Sequence, residues 1–238
     1  MSVCGIMKWI SIVCLFLGMS VQAQPIAVVE LFTSQGCSSC PSADKLLQEV
    51  VGNKSEKGRV IGLSFHVEYW NRLGWKDPYS DQKYTDRQRW YAREMRLSSM
   101  YTPQMIVDGR EEFVGSNRSR LKSAVLKSFE NEKESIMISN LKVESGQVTF
   151  KFDCFEGNHD VINFAIVQKQ ASNYVPRGEN RSRTLTHSNV VRYFQSIPFQ
   201  KSSYMTLPLP DTDEDLMLII YTQDTSTLAL EAVSEVKL

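Results

Sequence analysis

Two short β-branched, apolar runs at 26–32 and 59–67 flank a segment, 42–51, in which Leu46, Leu47 and Val50 recur at helical spacing. Strands joined by a crossover of that length lie parallel in one sheet, so the chain is expected to open with a βαβ unit. Between the first strand and the helix stands Cys37-Ser38-Ser39-Cys40. Backbone N–H groups and the helix dipole stabilise a thiolate at such a junction. Pro41 marks the helix start, because its missing N–H costs little in the first turn.

The first 23 residues have a different character. Lys8 is the only charge before Glu30, and an apolar core from Trp9 to Leu17 is followed by Val21-Gln22-Ala23. This is the pattern of a secretory signal peptide cut after Ala23, and the run is shorter than the roughly 20 residues that span a bilayer. Export is therefore expected, to a periplasmic or extracellular setting where disulfides persist. Cys4 and Cys14 would leave with the signal, so Cys37, Cys40 and Cys154 remain: a close pair and one stray, too few for a disulfide scaffold. Lysines and arginines equal acidic residues in number, so no net field points to nucleic acid, and no membrane span is expected after cleavage.

Cys-x-x-Cys by itself suits haem attachment, zinc, a staple or redox exchange. Haem attachment needs histidine where Pro41 stands, and structural zinc needs two further close ligands. A two-residue loop constrains little of the unfolded chain, so a staple has weak purpose. Redox exchange fits best. In that reading Cys37 lies nearest the solvent and attacks, and Cys40 resolves the mixed disulfide.

Further along, 81–95 reads as a helix, 104–107 as a strand closed by an Asp108-Gly109 hairpin, and 119–129 as a last helix. Thr102-Pro103 directly precedes that hairpin. A cis bond there would leave the Thr102 backbone free to pair with an extended substrate. After residue 131 only short strands are expected, among them 147–155, 161–167, 215–222 and 227–236, with turns at Gly146, Gly157-Asn158 and 208–213. The expected organisation is a signal at 1–23, an α/β domain at 24–130 able to carry the exchange chemistry, and an appended β-rich, sandwich-like domain at 131–238.

Cys37, Cys40, Thr102-Pro103 and Asp108-Gly109 together resemble the thioredoxin fold, in which a cis-proline loop lies against the Cys-x-x-Cys. The blocks "VVELFTSQGCSSCPSADKLL", "LSFHVEYWNRLGWKDPYS", "YTPQMIVDGREEFVGS" and "RGENRSRTLTHSNVVR" resemble, more closely, an uncharacterised bacterial secreted family, domain of unknown function 1223. That resemblance implies a thioredoxin-like domain in an exported protein and brings no substrate. Ser-Ser between the cysteines, and a long aromatic insertion before Thr102, depart from well-studied thioredoxins and leave the direction of electron flow open.

The expected activity is thiol–disulfide exchange, with Cys37 and Cys40 catalytic, Thr102 and Pro103 binding substrate, protein thiols or disulfides as partners, and no cofactor. His66, at the end of the second strand, is a secondary candidate as base or as third ligand with Cys37 and Cys40 in a rival Cu(I)-handling reading; its plain alternative is a bond within the following loop. Trp70 and Trp75 could wall a substrate or cover the core. A non-catalytic interaction protein is the third reading. Cys154 shares a face with Val148, Phe150 and Phe152 and is expected as a buried apolar thiol. Arg177, Glu179, Arg183, His187 and Arg192 are expected on a solvated loop and strand face.

Overall fold

The structure is a computed structural model and describes residues 24–52, 57–157 and 159–238. The expected signal segment lies outside the described residues, as does Asn158 of one expected turn.

The expected βαβ opening is present as β1 (Ile26–Thr33), α1 (Cys40–Gly52) and β2 (Arg59–His66). The two strands pair in parallel from Ile26↔Arg59 to Thr33↔His66. Helix α2 (Gln82–Glu94) starts where Asp81 accepts a hydrogen bond from the Lys83 N–H, an ordinary side-chain cap. Strands β3 (Gln104–Val107) and β4 (Glu111–Val114) form the expected hairpin, with Asp108 and Gly109 both at positive φ as the turn requires. Helix α3 (Arg118–Ser128) follows.

The second half consists of β5 (Met137–Glu144), β6 (Gln147–Asp153), β7 (Val161–Val175), β8 (Arg183–Pro198), β9 (Ser202–Pro208), β10 (Leu216–Gln223) and β11 (Leu230–Lys237). Strands β5, β6 and β9 make a small antiparallel sheet. The other four do not close a sheet of their own. They extend the first one, in the order β11-β10-β7-β8-β2-β1-β3-β4, through a parallel β2–β8 pairing at Ser64↔Val190. The result is a mixed α/β fold on one large sheet that runs across the chain position expected to separate two domains. The physical reason is that β1 covers only one edge of β2, residues Ile61–His66 of β2 are buried, and a buried edge must find backbone partners.

Alternation along the strands sorts the core into two faces. Val28, Phe32, Phe65, Ala165, Val167 and Tyr221 face α2. On the other face, Val29, Leu31 and Met105 meet α1 and α3, and farther along Phe164 and Ile220 meet Phe150 and Phe152 of the small sheet.

Strands β7 and β8 are much longer than the sheet they join. Residues 170–175 and 183–188 pair only with each other, from Gln170↔Ser188 to Val175↔Arg183. A register shift at Ile166/Val167 and a positive φ at Asn189 bend this arm out of the sheet, as bulges do. Asn189 Nδ2 donates to the Gly62 carbonyl and pins the bend to β2. The arm folds over α1, and its tip reaches the cysteine loop.

Candidate functional site

Cys37 and Cys40 form a disulfide at the join of β1 and α1. Cys40 begins the helix, which places Pro41 in the first turn as expected. Gly36 is needed here: a Cβ would lie 3.0 Å from Trp70 Cβ and 3.2 Å from its carbonyl oxygen. Trp70 in turn donates its indole N–H to Thr102 Oγ1 at 2.7 Å and so ties the cysteine loop to the proline loop. Thr102–Pro103 is cis. Pro103 sits beside the first turn of α1, since a Cβ on Gly115 would touch Ala43 and Pro103 at 3.1 and 3.2 Å. Among the described residues no hydrogen bond engages the Thr102 backbone.

One expectation fails here. Cys37 is 1 % exposed and Cys40 is fully buried, so the first cysteine does not face solvent. The cover is the tip of the β7–β8 arm. Asn180 Nδ2 donates to the carbonyls of Gln35 and Cys37, at 3.0 and 2.8 Å, and Glu179 accepts the Ser38 N–H at 2.9 Å. Gly178, at φ +86, lets the turn lie against Gly36. Glu179 and His187 therefore belong to the cysteine site; Arg177, Glu179 and Arg183 are exposed, as expected for that cluster, whereas His187 is buried. Sequence reading had no means to see this, because the contact joins residues more than 140 positions apart.

Behind the disulfide lies a buried polar cluster. His66 Nδ1 meets Asp77 Oδ2 at 2.7 Å, so His66 is bonded within the loop that follows its strand. Burial pulls the imidazole pKa down, but the Asp77 carboxylate, with help from Asp44, outweighs it and holds it above its ordinary 6.5. Burial pushes Asp77 up, yet His66 and the N–H groups of Gln35 and Tyr79 hold it below 3.8. The raised histidine contributes stability that is fully present below pH 6.5 and lost as pH rises through its folded value. The depressed carboxylate contributes stability fully present above pH 3.8 and lost as pH falls through its folded value. The stability difference between wild type and Asp77→Asn, read from urea midpoints, should thus be largest between those values and shrink on both sides.

Gln35 links this pair to the arm. Its Oε1 accepts from the Trp75 indole at 3.0 Å and from Asn173 Nδ2 at 3.0 Å, and an indole N–H can only donate. The Gln35 amide nitrogen must therefore point at His187 Nε2, 3.2 Å away, and donate to it. That leaves the His187 proton on Nδ1, which faces Asp44 Oδ2 at 3.4 Å. The two are close enough to attract, but no hydrogen bond is formed at that separation. The His66 and His187 rings stand edge to face at 4.6 Å. Asp44 is the residue most visible in retrospect: a carboxylate on the apolar face of α1, one turn after Cys40 and 4 % exposed.

His66 does not join the cysteines as a ligand. Among the described residues no group of three or more His, Cys, Asp or Glu side chains is arranged to hold a metal ion. Cys154 is buried in the apolar cluster with Phe150 and Phe152, and burial pushes its thiol up to about 11.

Residues 28–223 match the model of a family described as "Protein of unknown function (DUF1223)". The chain belongs to this family. The DUF1223 span takes in the cysteine loop, the Thr102-Pro103 loop and the whole β7–β8 arm, so the cover is part of the family region. An X-ray crystal structure of a protein from Agrobacterium tumefaciens is similar, with 28 % identity over 90 % of this chain and 95 % of that one and a TM-score of 0.64. Chicken interferon gamma receptor alpha chain aligns at 13 % identity over 60 % of each chain with a TM-score of 0.26, too low to carry an argument. No curated protein matches the chain. No described helix is long and apolar enough to cross a membrane.

Proposed function

We propose that the protein is an exported thiol–disulfide oxidoreductase whose first half is thioredoxin-like. The observation that carries this reading is the Cys37–Cys40 disulfide at a strand-to-helix join with the Thr102-Pro103 loop beside it. The strand order β2-β1-β3-β4, with β1 and β2 parallel and β3 and β4 antiparallel to their neighbours, is the arrangement a thioredoxin-like half requires. Trp70 holds the two loops together, and in this reading the Thr102 backbone pairs with an extended thiol- or disulfide-bearing peptide.

Exchange proceeds by attack of a thiolate on a disulfide sulfur. A substrate thiolate attacks Cys37 Sγ, the Cys37–Cys40 bond breaks, and Cys40 leaves with the electron pair. A second substrate thiol releases Cys37, so two thiols become one disulfide and two cysteine thiols appear. With Cys37 covered, the arm tip has to withdraw before the first attack.

That cover also supports a second reading, in which the disulfide is structural and the protein is a non-catalytic interaction module. One experiment separates the two. Wild type and Cys37→Ser are assayed for insulin reduction and for equilibration with glutathione buffers. Oxidoreductase function predicts exchange in wild type and a loss of at least about 100-fold in Cys37→Ser with an unchanged circular dichroism spectrum. A wild type that stays oxidised and inert across the buffer series supports the structural reading. Tight, stoichiometric Cu(I) binding without exchange would instead favour metal handling.

A further inference from the structure

Strand β7 opens as Val161-Ile162-Asn163-Phe164-Ala165-Ile166-Val167, an apolar run that Asn163 alone interrupts. Its pairing with Tyr221 on β10 and Ser196 on β8 puts its side chain on the face of the sheet that α2 covers. The residue is fully buried, yet neither Nδ2 nor Oδ1 finds a hydrogen-bond partner among the described residues. A carboxamide shut away with both ends unpaired is unfavourable for folding and calls for an explanation.

Asn163 lines a cavity of about 250 Å³ between the sheet and α2. Trp90 of α2 and Phe194 of β8, both half-buried, form its walls, and the exposed Ser196 stands at its mouth. Arg87 is more deeply buried, its guanidinium 4.7 Å from the Phe194 ring centre and 5.8 Å from that of Trp90. Its Nε and Nη2 are taken up by Glu30, Tyr91, Tyr221 and Gln223. The guanidinium is planar, so Nη1 points away from the edge that holds Glu30, and among the described residues it makes no hydrogen bond.

We propose that this cavity is a binding site for a small neutral aromatic molecule with an amide edge, a carboxamide or a ring lactam. Apolar walls joined to a few convergent polar groups are the make-up of a small-ligand pocket. Asn163 offers a donor and an acceptor side by side, and an amide presents the complementary pair. The ligand N–H donates to Asn163 Oδ1, and its carbonyl accepts from Asn163 Nδ2 and Arg87 Nη1. The ring fills the space between Trp90 and Phe194, where stacked and edge-to-face contacts favour an aromatic shape. The cavity lies on the opposite face of the sheet from α1, which carries Cys40, so the proposal stands whether or not the cysteines exchange.

Charge selects the neutral class. Arg87 is already balanced by Glu30, and both groups are buried. An incoming carboxylate would therefore bring an unbalanced negative charge into the interior, and the one free edge of Arg87 does not offset its desolvation. A plain hydrocarbon would fill the same walls but leave Asn163 unpaired. The cavity thus prefers an amide to an acid or a hydrocarbon of the same shape. In the free protein Asn163 breaks the apolar pattern of its strand and lowers stability, as residues kept for a site do.

The protein is titrated with benzamide, benzoate and toluene, ligands of one shape, and binding is followed by the Trp90 indole N–H signal in heteronuclear NMR spectra. Benzamide is expected to saturate with a Kd of about 1 mM or lower, and benzoate and toluene to bind at least about tenfold more weakly. Asn163→Leu should weaken benzamide binding at least about tenfold. By removing the unpaired groups it should also raise the melting temperature of the free protein by about 2–4 °C. Should Asn163→Leu fail to fold, Ser196→Trp, which places bulk at the exposed mouth, carries the same expectation for benzamide. Absence of saturable benzamide binding to wild type overturns the proposal, and so does an equal affinity for toluene. Tighter binding of benzoate overturns the neutral class and assigns the cavity to an anion. Wild-type benzamide affinity in a folded Asn163→Leu or Ser196→Trp places the ligand elsewhere and overturns the site.

Discussion

Arg87→Leu is expected to lower the stability of the protein by about 3–5 kcal/mol, enough to leave a domain of ordinary stability largely unfolded. Arg87 lies on α2 and reaches through the core to Glu30 on β1, with Nε to Oε2 at 2.6 Å and Nη2 to Oε1 at 2.7 Å. Both groups are buried. Burial pulls the guanidinium pKa down, but Glu30 and the hydroxyls of Tyr221 and Tyr91 hold it well above its ordinary value. Tyr91 donates to Glu30 and accepts from Gln223. Removing the cation strands a carboxylate in the interior, and that loss, more than the lost contact, sets the magnitude. A urea melt of Arg87→Leu beside Arg87→Leu/Glu30→Leu separates the two: the double variant should recover much of the loss, since it leaves no buried charge. Equal destabilisation of both would show that packing around the guanidinium, which stands over Phe194 and Tyr91, dominates instead.

Residues 24–130 expressed alone are expected to lack a cooperative unfolding transition. The fragment would expose the edge of β2 that β8 covers, and would lose Tyr221 and Gln223 from the Arg87 network. Ala165, Val167, Val191 and Ile219 would be missing from the core cluster that packs on α2. Apolar burial contributes roughly 1.5–3 kcal/mol per large side chain, so several such losses exceed the net stability of a domain. Calorimetry and near-ultraviolet circular dichroism of the fragment check this. A fragment that melts cooperatively near the full-length temperature would show that the continuous sheet joins two units able to fold separately.

Much of the first half was legible in the sequence, because its signals are local. β-branched runs, a proline in the first helical turn and an Asp-Gly pair act over a few residues, and β1, α1, β2 and the β3–β4 hairpin lie where those signals put them. The Cys-x-x-Cys at the strand-to-helix join and the proline loop were readable for the same reason. So were the pairing of His66 within its own loop and the burial of Cys154.

What only the tertiary structure decided is what lies against these elements. Strand periodicity tells which face of β7 or β8 is buried but carries no information about which edge it joins, so the continuous eight-stranded sheet was invisible. The bend at Asn189 depends on one residue at positive φ, and composition does not announce it. From that bend follow the covered Cys37, the Asn180 clamp and the meeting of His187 with Asp44. Charged and polar residues read as surface because water is their usual partner. Here partners from the other half of the chain take that place, and long-range pairing of that kind exists only once the chain is folded.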